Sequence, residues 1–200
     1  MTEEMRDLRV VKGHQTRTRL LAAARELFGR RGYDDTSIEL ILQAAGVQRG
    51  GFYHHFGSKQ AAFDAVLDTV IAELAVEVAS ATPRDADPRT VLRVGCAAWL
   101  RLLLDPSVQR ITLLDPPSVL GWKRWREIDE QHILVNLRRT LKRLPSKTTC
   151  PAEEIDLLAH LLLAAVGEAA LHIASSDAPH AALAAADSAV GRLIDSMVDK

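Results

Sequence analysis

A chain of 200 residues that is 48% apolar can bury a sizeable core in one large or two small domains, and its abundant alanine and leucine with sparse β-branched residues favour an all-α fold. Two cysteines, Cys96 and Cys150, exclude a disulfide framework and lack metal-ligand spacing, and the charged N-terminus carries no signal-peptide apolar region. A cytoplasmic protein is therefore expected, with no metal and no cofactor. The net charge of −1 is unevenly spread: residues 1–60 hold ten Lys/Arg against seven Asp/Glu, whereas the remainder hold fifteen against nineteen. A mildly basic head on an acidic body suits a protein whose one end faces phosphates.

Residues 1–14 are polar with little periodicity and read as a flexible arm, either a mobile tail or one whose Arg6, Arg9 and Lys12 reach a DNA groove. A first helix is predicted over about residues 15–31, where Leu20, Leu21, Ala24, Leu27 and Phe28 form one apolar stripe. Arg30 and Arg31 suit its C-terminal dipole, and Gly32 ends it. Thr36 followed by Glu39 has the spacing of a capping box, and Ile38, Ile41 and Leu42 then share a helical face. Gly46 can take the left-handed conformation that reverses the chain. A short third helix follows, with Val47, Phe52 and Phe56 inward and Gln48, Arg49, Tyr53 and His54 on its polar side.

Two short helices joined by a glycine turn, the second bearing donors, are the layout of a DNA-reading helix-turn-helix. Arg49 has the fork that matches guanine O6 and N7, and Gln48 can pair with adenine; either can instead bind phosphate. Gly50 and Gly51 either allow close backbone approach to DNA or merely loosen the helix.

Residues 15–63 resemble the DNA-binding domain of the TetR family of bacterial transcriptional regulators. The resemblance is carried by Thr18-Arg19-Leu20-Leu21-Ala22-Ala23-Ala24, Leu27-Phe28, Arg31-Gly32-Tyr33, Thr36-Ser37-Ile38, Ala45-Gly46-Val47 and Phe52-Tyr53-His54-His55-Phe56 with Ser58-Lys59. It implies that Tyr53, His54 and Lys59 clamp the DNA backbone, with His55 beside them and Thr36 and Ser37 adding contacts from the second helix. It also implies a helical body that binds a small molecule and forms a homodimer. The sequence departs from the family pattern at Gln48, where serine is common, and at Gly51, where a threonine commonly touches phosphate.

Ser58 can cap a long fourth helix to about residue 81, the link between head and body that the resemblance implies. A proline-bearing break at residues 82–88 follows, then helices over about 89–104, 108–114, 118–144, 152–175 and 179–198, with a loop at 145–151. This makes nine helices in a two-domain arrangement: a DNA-binding domain over residues 15–60 and an effector-binding and dimerisation domain over 61–200. Apolar faces with isolated polar groups suit a small-molecule pocket, and Cys96, Trp99, Leu103, Val119, Trp122, Trp125, Glu168 and His172 are its candidate walls and anchors. Plain core is the alternative for each tryptophan. The prolines of Asp115-Pro116-Pro117 fix an angle between body helices.

Asp156/His160 and Glu168/His172 lie four apart, but helix pairs are far commoner than metal sites at that spacing. The apolar run from Leu157 to Ala174 is interrupted by His160, Glu168 and His172 and reads as a core helix, not a membrane span. Leu161, Ala165, Val190, Ile194 and Met197 are candidate dimer-interface residues, although periodicity alone does not separate a dimer seam from a lone-chain core. No nucleophile–base or phosphate-loop motif supports an enzyme. The expected partners are palindromic double-stranded DNA, a second copy of the chain and a small-molecule effector, released-on-binding repression being the leading mechanism. An effectorless dimeric DNA-binding protein is the alternative, separable by a search for an internal cavity.

Overall fold

The structure, a computed structural model, describes residues 3–83, 85–144 and 151–198, with side chains described for 11–83, 85–144 and 151–197. Residues 145–150 of the predicted loop and the side chains of Arg6 and Arg9 lie outside the described residues. Nine helices and no strand are present among the described residues: α1 (Glu3–Arg31), α2 (Ile38–Ala45), α3 (Arg49–His55), α4 (Lys59–Ala81), α5 (Pro88–Leu102), α6 (residues 106–114), α7 (residues 116–141), α8 (Ala152–Ala174) and α9 (Pro179–Val198). The first helix begins at Glu3, so the segment expected as an arm continues α1.

The head is built as its periodicity requires. Leu20, Ala24 and Phe28 of α1, Ile41 of α2, Phe52 of α3 and Phe63 of α4 are fully buried together, each large side chain contributing roughly 1.5–3 kcal/mol. Phe28, Tyr33 and Phe63 stack as a trio with centroids 5.2–5.8 Å apart. Gly46, at φ 61°, closes α2, and the Val47 N–H donates to the Leu42 carbonyl at 3.1 Å. The cap at the other end corrects the sequence reading. Ser37, not Thr36, is the N-cap, accepting from the Leu40 N–H at 3.2 Å, while Thr36 is wholly buried and donates its hydroxyl to the Gly32 carbonyl at 2.7 Å.

The same buried cluster continues into the body through Ile111 and Ile128. Helix α6 crosses α1 so closely that a methyl group on Gly29 would stand 2.7 Å from Ser107 Cβ. Around this crossing Arg110 donates to the Arg30 carbonyl (3.0 Å), the Tyr33 N–H to Asp115 Oδ2 (2.8 Å), and Gln60 to the Val119 carbonyl (2.6 Å). The Asp115-Pro116-Pro117 segment thus docks on the head.

Two helices contain π turns, which the sequence did not announce. In α6 the Asp115 N–H bonds to the Arg110 carbonyl five residues back, and α7, broken at Gly121 (φ 77°), widens again over Glu130–Leu134.

A second cluster holds the body together, with Leu92 and Leu100 of α5, Leu134 and Leu141 of α7, Leu162 and Ile173 of α8, and Val190 and Ile194 of α9. Val190 and Ile194, expected at a dimer seam, are therefore buried within their own chain, because α9 lays that stripe on α5 and α8. Met197 packs against the same cluster and Ala165 is half-buried. Leu161 is 54% exposed and shares a face of α8 with Leu157 and Leu171. Helix α8, 23 residues long, contains an apolar stretch (mean hydropathy 1.8) long enough to cross a membrane, but Ala159, Leu162, Val166, Ala170 and Ile173 pack into the body.

Candidate nucleic-acid interface and ligand pocket

Helix α3 stands on Phe52, which buries its inner side and leaves Gln48, Arg49, Gly50, Tyr53 and His54 exposed in one array, with Ser37 exposed on α2. Gln48 caps α3 with extended backbone (φ −75°) and makes no side-chain cap bond, so its amide projects without commitment to the helix. The Arg49 guanidinium lies 3.4 Å from Glu39 and 5.8 Å from the Tyr53 ring centroid. The Tyr53 contact first, then the Glu39 charge, raises its already high pKa. These contacts hold an exposed guanidinium fork at the start of α3.

The two glycines have opposite surroundings. A Cβ on Gly50 would meet nothing within 4 Å, whereas one on Gly51 would stand 2.9 Å from Val47 Cγ1 and 3.8 Å from Thr16. Gly51 therefore serves packing inside the head, and the outward, unobstructed backbone belongs to Gly50.

At the far end of α3, His54 and His55 meet edge to face with centroids 5.0 Å apart, and Arg17 of α1 lies over Phe56. His55 is half-buried, and desolvation, then the neighbouring His54, Arg17 and His14, push its pKa below the ordinary histidine value. Arg17 of α1 thus brings its positive charge beside the exposed array. Lys59 also serves the head itself. Its ammonium donates to the Tyr33 carbonyl at 2.9 Å and sits 4.0 Å from the Tyr33 ring centroid, holding the α1–α2 loop against α4. Thr36, with its side chain buried, is not available for the expected DNA contact. Ser58 accepts from the Ala61 N–H at 3.0 Å, so α4 presents a capped N-terminal turn beside Tyr53 and His54 in sequence.

The body contains a cavity of about 330 Å³ between α4, α5, α7 and α8. Ala75, Val78, Val91, Leu92, Gly95, Cys96, Trp99, Leu162, Leu163 and Val166 form its apolar side, and His132, Asn136, Arg139, Thr140 and Arg143 its polar side. His132 and Ile133 enter from the π turn of α7. His132 Nε2 lies 2.8 Å from Asp68 Oδ1 on α4, and eight residues earlier on α7 Arg124 grips Asp64 at 3.0 Å. Cavity wall and connecting helix are thereby tied together at two points. Burial, then Asp187, pushes the Cys96 thiol up to about 12, so it acts as an apolar wall.

Of the expected pocket residues, Cys96 and Trp99 line the cavity; the others do not. Leu103 is fully buried in the body core, Val119 and Trp125 pack on the cluster shared with the head, and Trp122 is 59% exposed, stacked under Arg126. Glu168 and His172 are exposed on the outer face of α8, away from the cavity. His132 is an inward position that the helix periodicity does indicate, and Asn136, Thr140 and Arg143, which recur from it at helical spacing, complete the polar side. Asp156 is held by Arg138, and His160 Nδ1 lies 2.9 Å from the Asp156 carbonyl, so that pair serves helix packing.

Comparison with known proteins places these features in context. The family model described as "Bacterial regulatory proteins, tetR family" matches residues 20–66, and "Tetracyclin repressor-like, C-terminal domain" matches residues 89–197. The chain is 26% identical over 142 residues to the HTH-type transcriptional repressor AcnR of Corynebacterium efficiens, covering 71% of this chain and 74% of that one. It is 38% identical over 63 residues to the HTH-type transcriptional regulator UidR of Escherichia coli, covering 32% of each. A crystal structure of a TetR-family transcriptional regulator from Pectobacterium atrosepticum superposes with a TM-score of 0.77 at 29% identity, over 95% of this chain and 97% of that one.

Proposed function

The chain belongs to the TetR family of bacterial regulatory proteins, and from that premise we propose that it is a homodimeric repressor releasing palindromic operator DNA when a small molecule fills its body cavity. TetR-family regulators are DNA-binding regulators and not enzymes. The reading divides the chain at α4, with a DNA-binding head over residues 15–60 and an effector-binding and dimerisation body beyond it, working in the cytoplasm.

The observation that carries the proposal is the continuity between cavity and reading helix. Ala75 and Val78 of α4 line the cavity, Asp68 and Asp64 tie α4 to α7, and Ser58 starts the same helix beside α3. A ligand that prefers one separation of α4 and α7 shifts the head only by as much as its affinity differs between the two states. Base reading falls to Arg49 and Gln48, close backbone approach to Gly50, and phosphate contact to Tyr53, His54, Ser37 and the first turn of α4. Dimerisation through the outer face of α8, with Leu157, Leu161 and Leu171, and the neighbouring Leu193 of α9, is supported by their exposure. It would set two α3 helices on half-sites about one DNA turn or a multiple apart.

The open cavity counts against the effectorless alternative. Gly95 lines the cavity, and a Cβ there would meet only Val78, at 3.6 Å, so Gly95→Trp fills it without disturbing the head. Compounds that raise the melting temperature of the wild type but not of Gly95→Trp are expected to weaken operator binding of the wild type alone. Compounds that occupy the cavity and leave operator affinity unchanged would count against effector release.

A further inference from the structure

We infer that the ligand of the body cavity is an amphipathic anion, such as a monocarboxylate with an apolar body, whose charged end lies between Arg139 and Arg143; the inference rests on the pocket reading above. The cavity is strongly asymmetric. Its α4, α5 and α8 walls are almost entirely aliphatic, with Trp99 as the one aromatic surface. Its α7 wall carries His132, Asn136, Arg139 and Thr140 at helical spacing, and the turn that follows α7 adds Arg143.

Charge along this polar side is uneven. At one end His132 is taken up by Asp68 of α4, a carboxylate that does not line the cavity. Thr140 spends its hydroxyl proton on the Asn136 carbonyl. At the other end Arg139 donates to the Asn136 side-chain oxygen at 3.3 Å and Arg143 to the Ala86 carbonyl at 3.5 Å, both neutral acceptors. Among the described residues neither guanidinium is ion-paired with a carboxylate, and the cavity lining contains no Asp or Glu. A guanidinium has five N–H donors in a fork suited to carboxylate oxygens. Both arginines are exposed at the rim, where a charged headgroup keeps part of its hydration while the apolar chain runs inward past Cys96 and Val166. A cation would meet like charge at the rim. A neutral apolar molecule would gain the aliphatic walls but leave the two guanidinium groups unused.

Calorimetric titration of the full-length protein with octanoate and with octan-1-ol, which share a chain length and differ in headgroup charge, tests this. Octanoate is expected to bind about tenfold more tightly than octanol, the effect of roughly one good charge-assisted contact at a wet rim. The double exchange Arg139→Gln with Arg143→Gln is expected to abolish that preference while octanol affinity stays within about twofold, since its contacts are with the aliphatic walls. Equal affinity of the wild type for the two compounds, or a preference that survives the double exchange, would overturn the anionic class and leave the pocket standing. Binding of neither compound would overturn the inference together with the pocket reading.

Discussion

Gly50 and Gly51 are neighbours in α3 with opposite surroundings, and substitution at each reads out a different property. Gly50→Ala adds a methyl in open space to a helix that gains from lower backbone entropy, so unfolding in urea is expected to show a gain of up to about 1 kcal/mol. The same change adds a methyl to the exposed side of α3 and is expected to weaken operator binding. Gly51→Ala forces Val47 aside from 2.9 Å and is expected to cost about 1 kcal/mol despite the better helix former. Arg49 and Lys59 form a second contrasting pair. Arg49→Ala is expected to alter the ranking of operator variants, measured by fluorescence anisotropy, because its fork is exposed for base contact. Lys59→Gln is expected to leave the ranking intact and to lower thermal stability, because the ammonium holds the Tyr33 carbonyl and ring. An unchanged ranking in Arg49→Ala would assign that side chain to phosphate.

The helices themselves were largely legible, since their ends are written in local chemistry. Ser58, Asp87-Pro88 and Asp105-Pro106 cap α4, α5 and α6, with Asp87 and Asp105 accepting from the N–H groups of Thr90 and Ser107. What periodicity does not encode is the partner of each face. The stripe Val190–Ile194 is as apolar as a dimer seam, yet it meets α5 and α8 of its own chain, whereas Leu161, expected at the same seam, faces outward. The α7 side of the cavity is only partly encoded, for a related reason. Trp122 and Trp125 are the bulkiest residues of α7, but the break at Gly121 and the wide turn at Glu130–Leu134 aim His132 and Ile133 inward instead. Thr36 and Ser37 show the limit at one residue: either can cap, and burial of Thr36 against the Gly32 carbonyl decides between them.

Helix α7 also buries Asp129, whose pKa is raised to about 6, first by desolvation and against the pull of Arg126 and His160. Its charged form is disfavoured in the fold, so the native state holds its proton more tightly than the unfolded chain between about pH 4 and 6. Stability from this group is fully present below the unfolded value and is lost as pH rises through about 6. Asp129→Asn is therefore expected to be more stable than wild type at pH 7, by on the order of 2 kcal/mol. The difference should shrink toward zero near pH 4. Urea midpoints measured across that range check it; a difference independent of pH would mean the carboxylate is not protonated in the fold.

For the molecule as a whole, one buried cluster runs from α1 through α4 to Ile111 and Ile128, and hydrogen bonds from Arg110, Tyr33 and Gln60 lock α6 and α7 onto the head. Head and body are not beads on a string, so a change at the cavity has a packed route to α3. Palindrome recognition also requires two heads held at a fixed separation, a task for the exposed leucine face of α8. Selection of randomised duplex DNA on the purified protein, followed by the mass of the complex on the enriched site, tests the central claim most directly. The expected result is a two-fold symmetric sequence bound by an even number of chains, with affinity falling steeply as salt rises. Enrichment of an asymmetric single half-site bound by one chain, or no enrichment at all, would contradict it.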